Sequence, residues 1–187
     1  MRSKVYFIAI DGYGGSGKST LAENLSKVLN AEIIHTDDFA SFDNWSNWWP
    51  LVIDSAFDPI KSGAKQLNYP RSKWWEDHYP EPIVNQPVTK IMILEGVSSL
   101  RKEFREYIDF GVYVSTPKEV CMQRGLERDR GNDGKSDEEI IQLWIMWLEN
   151  EDTYIARDNP KEYADIIVDG TRSIDESIKK IRELLIK

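Results

Sequence analysis

Short apolar runs alternate with longer amphipathic stretches along this chain. Five runs are rich in β-branched residues and nearly continuous in apolar character: Val5–Ile10, Glu32–His35, Lys90–Leu94, Gly111–Ser115 and Asp165–Val168. This pattern favours strands buried on both faces of a parallel sheet, because a half-exposed antiparallel strand would alternate polar and apolar residues.

Helical patterns fill most of the intervals between these runs. They cover four segments: Lys18–Leu29, Pro117–Arg130, Ser136–Ala156 and Ser173–Ile186. Strands that alternate with helices imply right-handed crossovers and a three-layer α/β sandwich with helices on both faces of the sheet. We therefore predict a single domain over residues 1–187. Trp144 and Trp147 lie on an apolar helical face and are predicted to be core residues.

Residues 41–87 interrupt this alternation. The segment shows no clear period, is rich in Tyr, Pro, Asn and Asp, and holds five of the seven tryptophans: Trp45, Trp48, Trp49, Trp74 and Trp75. We predict a substrate-covering insert rather than a separate domain. The tryptophans could stack on a flat ligand or pack the insert onto the sheet. Arg71 and Lys73 could hold an acidic acceptor, although a solvated loop is the simpler interpretation.

Composition excludes several classes of protein. The formal net charge of -8 over 187 residues argues against a general nucleic-acid or anionic-membrane binder, which would need a basic face. The only cysteine, Cys121, permits no intramolecular disulfide and no Cys-rich metal site, and we expect it to be an inert packed thiol. No signal peptide or membrane span is recognisable, which predicts a cytoplasmic protein. We separately expect a small-molecule partner and a monomer or homodimer.

The most specific motif covers residues 12–19, Gly-Tyr-Gly-Gly-Ser-Gly-Lys-Ser, and matches the P-loop pattern between a predicted strand and a predicted helix. Backbone N–H groups of such a loop can surround a polyphosphate, and the helix start adds its positive dipole end. Lys18 can reach the β- and γ-phosphates, and the Ser19 hydroxyl can coordinate Mg²⁺. The predicted nucleotide-binding residues are Gly12, Gly14, Gly15, Ser16, Gly17, Lys18, Ser19 and Thr20.

The next candidate residues follow the second predicted strand. Asp37 and Asp38 lie at its carboxyl end, which is the ligand-binding edge of a parallel sheet. A kinase needs a carboxylate there to orient or deprotonate the acceptor hydroxyl. We predict Asp37 as this base and assign Asp38 to metal-bound waters or to the turn. An acidic turn that caps a following helix is the alternative. A GTPase is disfavoured, since the chain has no Asn-Lys pair for guanine recognition.

Arg124 and Arg128 are four residues apart and share one face of a predicted helix, which then breaks into a glycine-containing loop. Arginines on a closing segment can neutralise a transferred phosphoryl group and exclude water. We predict residues 124–136 to form a lid. The alternative is a solvated helix end in which these arginines pair with Glu127 and Asp129.

Together these segments resemble the uridine kinase-like family of P-loop kinases, which includes nicotinamide riboside kinase, bacterial pantothenate kinase and phosphoribulokinase. The shared pieces are the P-loop, Asp37-Asp38-Phe39, Glu95-Gly96, Arg124–Asp129 and Ala164–Val168. The resemblance implies a five-stranded parallel sheet in the order 2-3-1-4-5, an ATP donor with Mg²⁺, and a lid. It also implies Asp37 as the catalytic carboxylate, Arg128 with Arg124 as lid arginines, and Glu95 as the acid near the metal.

The chain departs from this family at two positions. Ala40 stands where the family often has tyrosine, and Val52 stands where the resemblance would place a ribose-binding aspartate. The predicted activity is therefore ATP-dependent transfer of the γ-phosphate to a hydroxyl of a small molecule, nucleoside kinase-like, with the acceptor left open. One alternative is a nucleotide kinase, which would need more basic residues in the insert. The other is a non-catalytic nucleotide-binding regulatory protein.

Overall fold

The computed structural model describes residues 4–41, 47–72, 82–130 and 134–186. Its strands are β1 (Tyr6–Gly12), β2 (Glu32–His35), β3 (Gln66–Pro70), β4 (Ile83–Pro87), β5 (Ile91–Glu95), β6 (Phe110–Ser115) and β7 (Ile166–Asp169). Five of them form a parallel sheet in the order β2-β5-β1-β6-β7. Counted along the chain, this order is 2-3-1-4-5, which confirms the predicted α/β P-loop sandwich.

The helices are α1 (Lys18–Leu29), α2 (Trp49–Val52), α3 (Asp58–Lys61), α4 (Lys118–Asp129), α5 (Asp137–Asp158), α6 (Pro160–Tyr163) and α7 (Ile174–Leu185). The four predicted helices correspond to α1, α4, α5 and α7. Ser136 fixes the start of α5 with a capping box, in which its hydroxyl accepts from the Glu139 amide and the Glu139 carboxylate accepts from the Ser136 amide. No helix in the described part of the chain combines the length and apolar character needed to cross a membrane.

The central sheet separates two apolar layers. Alternate residues of β1 point to opposite faces, so Ile8 and Ile10 join α1 and α7 on one face, where Leu25 and Ile181 are fully buried. Phe7 points to the other face and packs edge-on against Phe57 of the insert, with ring centroids 5.0 Å apart. The insert therefore covers one face of the sheet.

The insert has regular structure that its sequence did not indicate. Helices α2 and α3 are joined by a π-helical turn, Ile53–Phe57, and β3 and β4 form an antiparallel hairpin. Trp48 is 2% exposed and packs on Phe104, so it contributes to the core rather than to an open stacking surface. Trp45, Lys73, Trp74 and Trp75 lie outside the described residues.

Trp144 of α5 is fully enclosed behind the P-loop, which confirms its core assignment, whereas Trp147 is only partly buried. The Trp144 ring lies directly against α4 at Gly125, where an added Cβ would come 2.0 Å from Cζ2. The indole N–H donates to Asp129 Oδ2 at 2.9 Å. Glycine at position 125 is thus required by the close approach of α4 and α5.

Gly125→Ala should destabilise the protein, because the new methyl group overlaps the Trp144 ring. Overpacking costs about 1–3 kcal/mol, which exceeds the roughly 1 kcal/mol gained when alanine replaces glycine in a helix. Thermal denaturation should show a Tm lowered by several degrees, together with altered tryptophan fluorescence. The control is Gln123→Ala on the exposed face of the same helix. A Tm equal to or above that of the wild type would show that α4 and α5 are not closely packed here.

Candidate active site

The P-loop lies between β1 and α1, at the carboxyl edge of the sheet. Gly15 has a φ of +74°, and a Cβ at this position would lie 2.3 Å from the carbonyl oxygen of Cys121. Both the backbone conformation and the close contact therefore require glycine. Gly17 precedes the first turn of α1 and offers no side-chain cap, so the first amides of the helix are left for a ligand.

Lys18 and Ser19 connect this loop to the end of β5. Lys18 is buried, and its Nζ donates to the Tyr13 carbonyl at 3.4 Å, so the amine lies across the loop. The Ser19 hydroxyl donates to Glu95 Oε1 at 2.9 Å. Hydroxyl and carboxylate oxygens suit Mg²⁺, which takes few protein ligands and completes its shell with phosphate oxygens and water. This pair therefore fits the predicted metal position.

His35 also contacts Glu95, and sequence reasoning did not include it in the site. Its Nδ1 lies 2.8 Å from Glu95 Oε2, because β2 pairs with β5 in a register that places His35 beside Glu95. Burial favours the neutral imidazole, but the Glu95 carboxylate outweighs it and raises the pKa of His35. Burial likewise opposes ionisation of Glu95, but His35, Lys18 and Ser19 together lower its pKa. Glu95 is thus held as a carboxylate.

The two aspartates after β2 have different surroundings. Asp37 is exposed toward the cleft, yet the protein around it excludes part of its hydration and raises its pKa, and Glu95 raises it further. Asp38 is only 5% exposed. Its carboxylate accepts hydrogen bonds from Arg71 Nε at 2.8 Å and from the Tyr69 hydroxyl at 3.3 Å. Asp38 therefore anchors the hairpin to the turn after β2, which agrees with its predicted role in the turn.

The side chain of Arg71 is largely buried, in contrast to the simpler interpretation of this segment as a solvated loop. Its side chain is only 20% exposed and pairs with Asp38. An arginine engaged in this way holds the insert against the turn after β2, and its charge is matched within the protein.

Arg124 and Arg128 both project from α4. Arg124 donates through Nη1 to the Gly170 carbonyl at 3.1 Å and to the Ser16 carbonyl at 3.5 Å, so it joins the P-loop to the loop after β7. Arg128 is exposed, pairs with Asp129 and lies over the Trp144 ring at 5.7 Å. Its pKa is raised chiefly by Asp129, with a smaller contribution from Asp37, which places its charge within reach of the cleft.

A cavity of about 280 Å³ opens beside the P-loop. It lies between the start of α1 and the loop after β7, and its walls include Gly17, Thr20, Arg124, Asp169, Gly170 and Thr171. The cavity adjoins the cradle, so a ligand with a phosphate chain and a flat group could occupy both. The predicted nucleotide-binding residue Thr20 lines this cavity together with Gly17 of the P-loop.

Comparison with known proteins shows the family of this chain. The model of the phosphoribulokinase / uridine kinase family matches residues 54–177. The chain belongs to this family. It is 26% identical over 182 residues to the uridine kinase of Borrelia duttonii, which covers 88% of this chain and 86% of that protein. It is 27% identical to the phosphoribulokinase of Synechocystis, covering 95% of this chain but 58% of that longer protein.

Solved structures support the fold. A possible uridine kinase from Bacillus stearothermophilus superposes with a TM-score of 0.60 at 22% identity, covering 90% of this chain and 91% of that one. Shikimate kinase from Acinetobacter baumannii superposes with a TM-score of 0.53 at 14% identity, covering 98% and 94%. This family member is thus a P-loop kinase, a phosphotransferase with a nucleotide-binding loop.

Asp11 is a second residue of this kinase that sequence reasoning missed. The carboxylate is 1% exposed and accepts from four groups: the amides of Gly12 at 2.6 Å, Ser98 at 3.2 Å and Leu100 at 2.8 Å, and the Tyr154 hydroxyl at 2.6 Å. Burial raises the pKa of Asp11 to about 6, although these donors oppose the shift. An acidic residue directly after the apolar run Val5–Ile10 was the available signal.

Tyr154→Phe should destabilise the kinase in a pH-dependent manner. A raised folded-state pKa means that Asp11 lowers the free energy of unfolding as pH rises from about 4 through about 6. Loss of the Tyr154 donor raises that pKa further, so the deficit should be small near pH 4.5 and reach about 1–3 kcal/mol at pH 8. Urea denaturation at both pH values measures it.

The control for this prediction is Tyr163→Phe, at a tyrosine that is 53% exposed. A deficit for Tyr154→Phe that is the same at both pH values would mean that the hydroxyl acts independently of the charge on Asp11.

Proposed function

We propose that this kinase transfers the γ-phosphate of ATP to a hydroxyl group of a small molecule, in the manner of a nucleoside kinase. The observation that carries the proposal is the convergence of Lys18, the Ser19–Glu95 pair and Asp37 at one edge of the sheet. The names of the relatives agree with it, since uridine and phosphoribulose both carry hydroxyl acceptors.

The donor would lie along the P-loop. Its base would enter the cavity beside Gly170, and its phosphates would be held by the loop amides and Lys18. Ser19 and Glu95 would hold Mg²⁺, which neutralises phosphate charge when bound. The lowered pKa of Glu95 supports this role, because a metal ligand has to be ionised.

Asp37 would orient the acceptor hydroxyl and accept its proton. A carboxylate with a raised pKa is a stronger base than an ordinary aspartate, and proton transfer becomes more efficient as the pKa of the base approaches the working pH. Arg128 carries positive charge toward the same region and would stabilise the transferred group. Arg124 would act at the nucleotide end, beside Ser16 and Gly170.

The nucleotide-kinase alternative has less support. A phosphate acceptor needs a cation that is available to bind it. Of the two candidates in the insert, Arg71 is already paired with Asp38, and Lys73 lies outside the described residues. The regulatory alternative predicts ATP binding without acceptor-dependent formation of ADP. A screen of nucleosides, vitamins, sugars and nucleotides for ADP release would separate the three. Acceptor-dependent ADP production with a hydroxyl compound supports the proposal, whereas turnover with nucleoside monophosphates alone would favour the nucleotide kinase.

Asp37→Asn should abolish transfer while leaving ATP binding within about twofold of the wild type, because Asp37 follows β2 and is not part of the P-loop. General-base loss costs at least about 100-fold in kcat. The matched variant is Asp38→Asn, which breaks the contact with Arg71 and should mainly lower the Tm. Calorimetry measures ATP binding and coupled ADP detection measures kcat. Normal turnover by Asp37→Asn would remove this residue from the base role.

Glu95→Gln should weaken the response to magnesium. The amide keeps the size of the side chain but loses the charge, so the Mg²⁺ concentration for half-maximal activity should rise about tenfold or more. Glu149→Gln makes the same substitution at an exposed position of α5 and serves as the control. An unchanged magnesium dependence in Glu95→Gln would exclude Glu95 as the metal ligand.

A further inference from the structure

Glu151 extends from α5 into the phosphate cradle. The Gly14 amide, which belongs to the P-loop, donates to Glu151 Oε1 at 3.2 Å and to Oε2 at 3.1 Å. A Cβ on Gly14 would lie only 3.1 Å from Oε1, so glycine is what lets the carboxylate come so near. A protein carboxylate thus uses an amide that the loop otherwise presents to a bound polyphosphate.

Neighbouring contacts hold α5 in place and keep Glu151 at this position. The Tyr13 hydroxyl donates to Asp152 at 2.5 Å, and the Tyr154 hydroxyl donates to Asp11 at 2.6 Å. Both bonds lie within three residues of Glu151, on its carboxyl side, and they connect α5 to the P-loop and to the end of β1. The backbone of α5 is therefore fixed relative to the cradle, and the carboxylate remains near any anion that binds there.

The groups around Glu151 do not fully compensate its negative charge. Lys18 is the positive group and the Gly14 amide is the donor, whereas Asp11 and Asp37 are acidic and oppose ionisation. Neutral titratable groups also face it: Tyr13, Tyr113 and Cys121. Burial raises the pKa of Glu151 to about 7 despite Lys18. The group consequently changes charge near neutral pH.

We propose that Glu151 competes with the terminal phosphates of the nucleotide for the Gly14 amide, and that ATP binds to the form in which Glu151 is protonated. This inference rests on the proposed ATP donor. An incoming phosphate and a carboxylate held beside it repel each other, which raises the pKa of the carboxyl group further. A protonated carboxyl can instead donate a hydrogen bond to a phosphate oxygen, whereas an ionised one only accepts. Nucleotide binding is then coupled to uptake of a proton by the Glu151 carboxylate.

The test compares ATP affinity at pH 6 and pH 8 in the wild type, Glu151→Gln and Glu149→Gln. Glu151→Gln corrects for the titration of ATP itself, and Glu149→Gln removes one exposed charge from the same helix. With a pKa near 7 that rises on binding, the wild type should lose about tenfold in affinity between pH 6 and pH 8 relative to Glu151→Gln. Glu149→Gln should behave as the wild type does. AMP, which has no terminal phosphates, should show no difference between variants.

Calorimetry in two buffers of different ionisation heat gives a second measurement that needs no variant. The wild type should take up close to one proton per ATP at pH 8, and Glu151→Gln should take up that much less. Equal affinities of the wild type and Glu151→Gln at pH 8, or wild-type affinity that rises with pH relative to that of Glu151→Gln, would overturn the competition while leaving the proposed donor intact. Absence of ATP binding in every variant at both pH values would overturn the proposed function as well.

Discussion

One buried carboxylate connects the separate parts of this active site. Asp11 accepts from the first amide of the P-loop, from two amides of the loop after β5, and from Tyr154 of α5. A charge in this position is costly to bury unless several donors surround it. The four bonds therefore have to form together, and their formation fixes the phosphate loop, the segment that follows Glu95 and the helix behind both.

The position of α5 has consequences beyond packing. Because Tyr154 is bound to Asp11, the preceding turns of α5 bring Trp144 against Gly125 and bring Glu151 onto Gly14. The helix thus supports the P-loop with an aromatic ring and presents an acid to it. Under the proposed function, this acid would oppose a polyphosphate by its charge, and Lys18 would offset that opposition only in part.

Sequence reasoning predicted the phosphate-binding part of the site more fully than the part that would hold the acceptor molecule, for a physical reason. The P-loop is a local motif whose backbone makes the contacts, so residues 12–19 specify it without reference to distant positions. The strand pattern was equally local, since parallel strands buried on both faces read as continuous apolar runs. Asp11, His35 and Glu151 act through pairings across strands or between elements far apart in the chain. Such pairings cannot be inferred from the spacing of residues along the sequence.

The structure of the insert was also difficult to predict from its sequence. Leu67 and Tyr69 alternate with exposed residues of β3, but this signal is only five residues long and lies among tryptophans and prolines. Its attachment depends on Asp38 and Arg71, two residues 33 positions apart whose charges neutralise each other inside the fold. Val52, at the position where the family resemblance would place an aspartate, is fully buried among apolar residues. A buried apolar side chain cannot bind a ribose hydroxyl, so Val52 does not supply the contact that the resemblance would place at this position.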